Sequence, residues 1–257
     1  MFRPIFFASL LALLGACAAT PVNLGELKTQ LTGYHASGAY ERDLAAVDRD
    51  AAAWVAANAA RANRPALVLD IDETSLSNWP QMAANDFGYI PGGACDALPA
   101  GPCGNAAWEL SARSTVIGPT LALFNAARAA GVAVFFITGR PENERDATAK
   151  NLRAAGYEGW AGLTLKPATL HVASAADYKA AERAKIEAEG YTIIANVGDQ
   201  PSDLAGGHVD MNCHVLGGRG HPSLGGVTKL LKSMQTFFVG RDQQDRNLHG
   251  IAEVNFS

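Results

Sequence analysis

The sequence predicts an α/β protein, with a doubly wound parallel sheet, an N-terminal helical segment and a small cap insertion. Two observations support this fold class. Apolar runs such as "LVLD", "VAVFFIT" and "YTIIANVGD" alternate with helix-like stretches, and strands that are apolar throughout are typical of parallel sheets covered on both faces. Polar residues follow three of these runs, at the sheet edge where ligands bind in open α/β folds.

Composition limits the classes of function. The chain has 257 residues, of which 48% are hydrophobic and 18% are charged, and this is enough for one sizeable domain with appendages. A net charge of −4 at pH 7, without a basic stripe in the sequence, argues against a nucleic-acid polymer as a partner. The composition leaves the oligomeric state open.

The chain begins with a segment that resembles a bacterial export signal. Arg3 precedes the apolar run "IFFASLLALLGA", which is too short to span a bilayer as a helix. The run ends in "LGAC", similar to a lipobox, in which Cys17 would become the lipidated new N-terminus. We therefore predict a lipoprotein signal peptide over residues 1–17 and a protein anchored by lipid to the bacterial outer membrane, facing the periplasm or the exterior. Plain signal-peptide cleavage after residues 16–18, which satisfy the A-x-A pattern, is the alternative.

Residues 18–64 are predicted to form about two helices. In "YERDLAAVDRDAAAWVAANAARA" the apolar residues fall roughly on one face of a helix and the charged residues lie opposite. Pro65 ends this pattern. The predicted apolar face carries Leu44, Val47, Trp54 and Val55.

One core domain is predicted over residues 65–216, interrupted by an irregular insertion over residues 76–115, and a C-terminal segment over residues 217–257 packs on it. Loops as long as this insertion are usually functional or lid-like. Pro and Gly mark the starts and ends of the core helices, and Ser174 with Asp177 resembles a capping box. The predicted elements are strands over 66–70, 132–138, 161–165 and 191–199, a further strand within 208–216, and helices over 119–131, 141–155 and 174–189.

The cysteines suggest one disulfide. Cys95 and Cys103 share the Gly/Pro-rich loop "GGACDALPAGPCG", and an exported protein folds in an oxidising compartment. We expect these two cysteines to pair and to shape the cap loop, which would stabilise the protein by about 2–3 kcal/mol. Cys213 lies in an apolar context and is interpreted as a buried thiol.

Polar residues at three strand ends form the candidate site. Asp70 and Asp72 leave the first strand on the same side, because strand side chains alternate with period two. Two carboxylates aimed at one point repel each other unless a cation or a proton lies between them. The polar residues are Asp70, Asp72 and Thr74 after the first strand, Thr138, Gly139 and Arg140 after the second, and Asp199 and Asp203 after a later one.

These motifs resemble those of the haloacid dehalogenase superfamily of phosphohydrolases. The stretches "LVLDIDETSLSN", "FFITGRPENER" and "NVGDQPSDL" are similar to its acid-phosphatase branch, which holds plant acid phosphatases and bacterial class C lipoprotein acid phosphatases. The resemblance covers residues 65–215. It implies a haloacid-dehalogenase-like fold, and the export signal agrees with it.

The resemblance implies a role for each acidic residue. Asp70 would be the nucleophile that forms an aspartyl-phosphate, and Asp72 the general acid and then the general base. Mg²⁺, a hard cation that prefers oxygen ligands, would be held by the Asp70 carboxylate, the Asp72 backbone carbonyl and Asp199. Asp203 would act on the metal indirectly, through bound water.

The resemblance also implies a phosphate-binding set. Thr138 and the Gly139 N–H would hold the phosphoryl oxygens. The phosphate-binding lysine is either Lys166, which ends a strand, or Lys179, which begins a helix, and the "Tyr-Lys" pattern of the family favours Lys179. Arg140 either helps to bind phosphate or only caps its neighbourhood, and the sequence leaves both open.

The implied function is that of an exported, Mg²⁺-dependent acid phosphatase acting on small phosphomonoesters, with a 5′-nucleotidase as the leading narrower version. One alternative is a non-catalytic storage or ligand-binding protein on the same fold. Another is a phosphotransferase, which passes the phosphoryl group to an alcohol. The presence of Asp70 argues against the storage protein, because relatives that lose activity lose the nucleophile.

Overall fold

The structure is a computed structural model that describes residues 23–170 and 174–207 and the backbone of residues 212–214. The predicted signal peptide over residues 1–17, with the lipidation site Cys17, and the C-terminal segment over 217–257 lie outside the described residues. None of the helices in the described part of the chain is long and apolar enough to cross a membrane.

Helices and strands alternate along the described chain. The helices are α1 (Leu24–Ala36), α2 (Ala39–Asn58), α3 (Trp79–Ala84), α4 (Asn105–Ser111), α5 (Gly118–Ala129), α6 (Arg145–Ala154), α7 (Ala175–Ala188) and α8 (Pro201–Leu204). The strands are β1 (Pro65–Leu69), β2 (Leu76–Ser77), β3 (Thr115–Val116), β4 (Ala133–Pro141), β5 (Gly162–Lys166), β6 (Thr192–Gly198) and β7 (Asn212–His214).

The central sheet is parallel, with the strand order β5-β4-β1-β6-β7. Alternate residues of β1 enter different cores. Leu67 and Leu69 pack in a core that includes residues of α2 and α5, whereas Ala66 and Val68 pack with residues of α7 on the other face. Helices therefore cover both faces of the sheet, and the predicted doubly wound α/β fold is confirmed.

The N-terminal segment forms α1 and α2, as its pattern predicts. Leu44, Val47 and Val55 of α2 are buried. Trp54 differs from the prediction, because it is 37% exposed and its indole N–H donates to the carbonyl of Ile194 at 2.8 Å. Adjacent helix positions are about 100° apart, so Trp54 and Val55 cannot both point directly at the core.

The insertion is more ordered than the predicted irregular loop. β2 and β3 pair in antiparallel fashion where the insertion leaves and rejoins the core, and α3 and α4 lie between them. A disulfide joins Cys95 and Cys103, and the Asn85 side chain hydrogen-bonds both the N–H and the carbonyl of Cys103 at 2.8 Å. Elements of two to seven residues are too short for periodicity to reveal, and the sequence therefore predicted only an irregular stretch here.

Two core boundaries also differ from the prediction. β4 continues to Pro141, which pairs with Lys166, and a 3-10 turn over Glu142–Glu144 precedes α6. The sequence places the start of that helix at Pro141. The predicted cap at Ser174 is confirmed, because the Ser174 Oγ accepts from the Asp177 N–H at the start of α7.

Candidate active site

The turn after β1 presents the two motif aspartates at the carboxyl edge of the sheet. The Asp70 N–H donates to the carbonyl of Val197 at 3.0 Å, and the Ser75 Oγ donates to the Asp70 carbonyl at 2.6 Å. Glu73 takes a positive φ of 55°, which is uncommon outside glycine. The chain turns sharply here, and the Leu76 N–H donates back to the Ile71 carbonyl at 2.8 Å.

Lys179 joins Asp70 to Asp203. Its ammonium lies 2.6 Å from the Asp70 Oδ1 and also contacts the Asp203 Oδ1, and all three side chains are buried. Of the two candidate lysines, Lys179 is therefore the one beside Asp70. Lys166 lies instead in the wall of a neighbouring cleft.

Asp70, Asp199 and Asp203 form a carboxylate cluster in which one oxygen of each lies within 4.8 Å of the others. Burial raises the pKa of Asp199 well above its usual value, and the charges of Asp203 and Asp70 add to this effect. Burial likewise raises the pKa of Asp70, although the Lys179 ammonium opposes it. Three carboxylates against one ammonium leave a formal excess of two negative charges, which suits a divalent cation.

The strand–turn–helix after β6 holds Asp203 by contacts that the motif alone does not reveal. The Asp203 Oδ2 accepts from the Gln200 N–H at 2.8 Å. A Cβ at Gly198 would lie 2.3 Å from the Asp203 Cβ. Only glycine therefore fits before Asp199, because the Asp203 side chain lies so close to the backbone there. Arg183, which is 1% exposed, donates to the Asp203 carbonyl at 2.6 Å.

Arg183 is a residue that the sequence analysis missed. Beyond Asp203, its guanidinium donates to the carbonyls of Ala205 and Gly207. These bonds fix the chain that follows α8. The signal available in the sequence was its position one helical turn after Lys179, since residues four apart share a helix face.

Arg140 pairs with Asp72. Its Nη2 lies 2.6 Å from the Asp72 Oδ1 and its Nε lies 3.1 Å from both carboxylate oxygens. Burial pushes the pKa of Asp72 upward, but the Arg140 charge and the hydrogen bonds from Arg140 and Asn78 outweigh burial and hold the pKa below its usual value. The role that the sequence left open for Arg140 therefore includes this ion pair.

Thr138 and Gly139 lie beside Asp72. The Thr138 Oγ1 accepts from the Arg140 N–H at 3.1 Å and lies 3.5 Å from the Asp72 Oδ2. Gly139 is exposed and lines the cleft. The structure thus brings the predicted phosphate-binding residues of β4 next to the acids that follow β1.

Comparison with known proteins identifies the family. A family model described as "HAD superfamily, subfamily IIIB (Acid phosphatase)" matches residues 16–233. The chain belongs to this subfamily. The resemblance read from the three motifs is confirmed.

Two structures of the class C acid phosphatase from Bacillus anthracis share the fold. The one with tungstate bound has a TM-score of 0.55 at 19% identity and covers 85% of this chain and 80% of that chain. The other has a TM-score of 0.57 at 18% identity and covers 90% of this chain and 100% of that chain.

The plant relatives include an enzyme and a storage protein. Acid phosphatase 1 from Solanum lycopersicum is 33% identical over 143 residues, which are 56% of this chain and 53% of that protein. Vegetative storage protein 1 from Arabidopsis thaliana is 30% identical over 138 residues, which are 53% of this chain and 48% of that protein. The chain spans about half the length of these relatives.

A cleft of about 500 Å³ opens next to Asp72 in this acid-phosphatase subfamily member. One wall comes from the insertion and the other from the ends of β4 and β5. Burial, the Asp72 charge and a hydrogen bond with Glu144 raise the pKa of Glu109. The lining residues include Tyr89, Asn105, Glu109, Gly139, Arg140, Glu144 and Lys166.

Two further residues next to the site were missed. Asn78 closes the stretch "LVLDIDETSLSN" and its amide contacts Asp72. Tyr40 of α2 lies near Glu73 and Asp199, whose charges add to burial in raising the pKa of its phenol. The N-terminal helical segment therefore contributes to the surroundings of the acidic cluster.

Proposed function

We propose that the protein is an Mg²⁺-dependent acid phosphatase that hydrolyses small phosphomonoesters through an aspartyl-phosphate. The observation that carries this proposal is the buried contact of Asp70 with Lys179, beside Asp199 and Asp203. A carboxylate nucleophile must approach a phosphate dianion, and fixed positive charge at the point of attack lowers the barrier. The tungstate held by one structural relative is a tetrahedral oxyanion like phosphate, which agrees with this chemistry.

The chemical steps follow from the two motif aspartates. Asp70 attacks phosphorus as the bond to the leaving oxygen breaks, and Asp72 gives that oxygen a proton, so that an alcohol leaves. Water then attacks the aspartyl-phosphate, Asp72 takes a proton from it, and phosphate and the Asp70 carboxylate are released. Lys179, Thr138 and the Gly139 N–H would bind the phosphoryl oxygens.

The donor set fits Mg²⁺. The clustered oxygens of Asp70, Asp199 and Asp203 are hard ligands, and their charge exceeds that of Lys179 by two. Asp70 and Asp199 would hold the ion, together with the Asp72 backbone carbonyl. Both carboxylate oxygens of Asp203 already accept from Lys179 and Gln200, which favours an indirect role for Asp203. The ion would supply positive charge between nucleophile and phosphate.

Arg140 would change partner during the reaction. In the free protein it pairs with Asp72, and an incoming phosphate dianion would compete for its guanidinium. Sharing Arg140 with phosphate removes part of the charge that lowers the pKa of Asp72. We infer that substrate binding in this way allows Asp72 to carry a proton.

A storage protein is the second candidate, because relatives of this chain include Vegetative storage protein 1 and Vegetative storage protein 2 from Arabidopsis thaliana. The complete set of Asp70, Lys179 and Asp199 in one buried cluster favours catalysis. A 5′-nucleotidase is the narrower form that we propose within the phosphatase reading, since the cleft beside Asp72 has room for the organic part of a nucleotide. We also propose, from the sequence of residues 1–17, that the protein is exported and lipidated.

The deciding experiment is a phosphate-release screen of purified protein over a panel of monoesters from pH 4 to 9. Nucleoside monophosphates, sugar phosphates and nitrophenyl phosphate are compared with Mg²⁺ and with EDTA. We expect turnover with Mg²⁺, loss with EDTA and the highest rates at acidic pH. Glycerol in a parallel reaction tests for phosphotransfer through a new phosphoester. Absence of phosphate release from every ester would favour the storage protein.

A further inference from the structure

We propose that Asn78 positions the Asp72 carboxylate for proton transfer and that the inserted cap orients Asn78 through Trp108. This inference rests on the proposed function, because it concerns the residue to which that function gives the proton. It assigns to the last residue of the stretch "LVLDIDETSLSN" a role that the motif does not include.

The Asn78 amide uses its whole hydrogen-bonding capacity. Its Nδ2 donates to the Asp72 Oδ1 at 2.9 Å and to the Glu73 Oε2 at 3.1 Å. Its Oδ1 accepts from the Trp108 Nε1 at 2.7 Å and from the Ser114 Oγ at 2.8 Å. Asn78 is 8% exposed, so little water competes for these bonds.

The chemistry of the partners fixes which way the amide points. An ionised carboxylate only accepts hydrogen bonds, and an indole N–H only donates them. A flipped amide would turn its oxygen towards Asp72 and its NH₂ towards Trp108, and both contacts would be lost. Trp108, which is 2% exposed, therefore selects the orientation that places two N–H groups against the acids.

Asn78 makes the two oxygens of Asp72 unequal. Oδ1 accepts from the Asn78 amide and from the Arg140 Nη2 at 2.6 Å. Among the described residues, Oδ2 receives only the Arg140 Nε, which it shares with Oδ1, and the Thr138 hydroxyl at 3.5 Å. Oδ2 is thus the oxygen left to hold and deliver the proton. When phosphate takes over some of the hydrogen bonds of the Arg140 guanidinium, the Asn78 amide still donates to Oδ1.

The same amide joins the start of the insertion, where Asn78 lies, to two residues near its end. Trp108 belongs to α4, and Glu109 beside it lines the cleft. Ser114 follows α4, and its N–H and carbonyl bond the Asn151 side chain of α6 at 3.0 and 2.8 Å. The position of the cap is therefore linked to the orientation of Asp72 by direct hydrogen bonds.

The test compares kcat for a poor leaving group, an alkyl phosphate, with kcat for a good one, nitrophenyl phosphate. In Asn78→Ala we expect the alkyl ester to lose about 10- to 100-fold more than the nitrophenyl ester, the range expected for one hydrogen bond to a charged group. KM should change little. Trp108→Phe, which removes the indole donor and keeps an aromatic ring, should show the same selective loss to a smaller degree.

Two further variants complete the design. Trp54→Phe is the matched control, because it also removes an indole hydrogen bond, at 2.8 Å to the Ile194 carbonyl, but Trp54 belongs to α2 and not to the cap. It should show no leaving-group dependence. In the Asn78→Ala background, Trp108→Phe should add nothing to the selective loss, since both changes act through one contact. Circular dichroism and thermal unfolding identify variants that are not folded.

The outcomes separate this inference from the function on which it rests. Asp72→Asn is measured on the same two esters. If Asp72→Asn affects both equally, Asp72 is not the general acid and both proposals are wrong. Suppose instead that Asp72→Asn lowers kcat selectively on the alkyl ester, whereas folded Asn78→Ala and Trp108→Phe lower kcat equally on both esters or not at all. The proposed function then stands, and the role of Asn78 is wrong.

Discussion

The Arg140 guanidinium and the Asp72 carboxylate form an ion pair in which Nη2 lies 2.6 Å from Oδ1. The Arg140 side chain is almost fully buried and that of Asp72 is 30% exposed, and both residues line the cleft. In the proposed reaction, Arg140 binds phosphate and Asp72 gives up a proton. The pair therefore links substrate binding to proton transfer.

Removing the Arg140 charge should move the alkaline limit of activity upward. Because Arg140 lowers the pKa of Asp72, the variant Arg140→Gln should let Asp72 keep its proton to higher pH. KM should rise, since a phosphate-binding charge is lost. The measurement is the pH dependence of kcat/KM on an alkyl phosphate, which reports the pKa of Asp72 in the free enzyme. Arg145→Gln, which removes an arginine that pairs with Glu142, is the control, and an unmoved alkaline limb in Arg140→Gln would contradict the proposal.

Asp70→Asn should abolish turnover without unfolding the protein. The amide keeps the shape of the side chain but lacks the nucleophilic carboxylate, and loss of a nucleophile lowers kcat by several orders of magnitude. The variant removes one of three repelling carboxylates, so folding should survive. Steady-state kinetics and thermal unfolding test both statements. Turnover near the parental rate in Asp70→Asn would exclude Asp70 as the nucleophile.

The sequence predicted those parts of the fold and site that depend on strand ends. Asp70, Thr138 and Asp199 each follow an apolar run, and the carboxyl ends of parallel strands meet at one edge of the sheet. The common location of the three residues follows from this rule. Lys179 followed from the family pattern and not from the strand-end rule, because Lys179 lies in a helix whereas Lys166 ends a strand.

The contacts that the sequence did not predict depend on how the insertion folds. The bond between Trp108 and Asn78 joins residues 30 positions apart, across helices too short to show periodicity. Arg183 shares a helix face with Lys179, but it donates to backbone carbonyls. Carbonyls are present at every position, so the sequence does not reveal which of them Arg183 contacts.

Loss of the disulfide should weaken substrate binding more than turnover. Cys95 and Cys103 are bonded in the insertion, away from the acidic cluster, and the Arg113 side chain donates to the Cys95 carbonyl at 2.8 Å. A Cys95→Ser/Cys103→Ser variant should raise KM severalfold and lose about 2–3 kcal/mol of stability. Cys213→Ser is the matched control. Free alkylatable thiols at 95 and 103 in exported protein, or a fall in kcat at constant KM, would contradict this prediction.

Cys17 should decide where the protein resides. If it is lipidated, the parental protein should sediment with membranes, because a lipid chain and not a protein helix holds it there. Cys17→Ser should then be soluble or remain unprocessed. Fractionation with metabolic labelling by a fatty acid measures both properties. Unlabelled parental protein in the soluble periplasmic fraction would favour plain signal-peptide cleavage.

Asp48 should make the stability of the protein depend on pH. It is 3% exposed on α2, and its Oδ1 has no hydrogen-bond partner among the residues that the structure describes. The Thr120 hydroxyl lies 3.0 Å from the Asp48 Oδ2 and 2.6 Å from the Thr74 carbonyl. A hydroxyl has one proton to donate, so if Thr120 gives it to Thr74, Asp48 must be protonated to donate in turn.

The sign of the effect follows from the direction of the pKa change. Burial raises the pKa of Asp48 to about 7, although the Thr120 hydrogen bond lowers it. A carboxyl group whose pKa is raised by folding stabilises the protein below its unfolded pKa of about 4. That stability is lost as the pH rises through about 7. Above pH 7, folding must bury a charged Asp48.

Asp48→Asn should remove this dependence, because the amide stays neutral and can donate to Thr120 at every pH. At pH 8 we expect the variant to be more stable than the parent by at most about 4 kcal/mol, and near pH 4 the two should be equal. Urea unfolding of both proteins from pH 4 to 8.5 gives the difference in their free energies of unfolding. The titration of the other carboxylates is common to both proteins and cancels in this difference. Asp50→Asn, on the exposed side of the same helix, should show a difference that does not vary with pH. A constant difference for Asp48→Asn as well would mean that Asp48 is ionised throughout and that a charge is tolerated between α2 and α5.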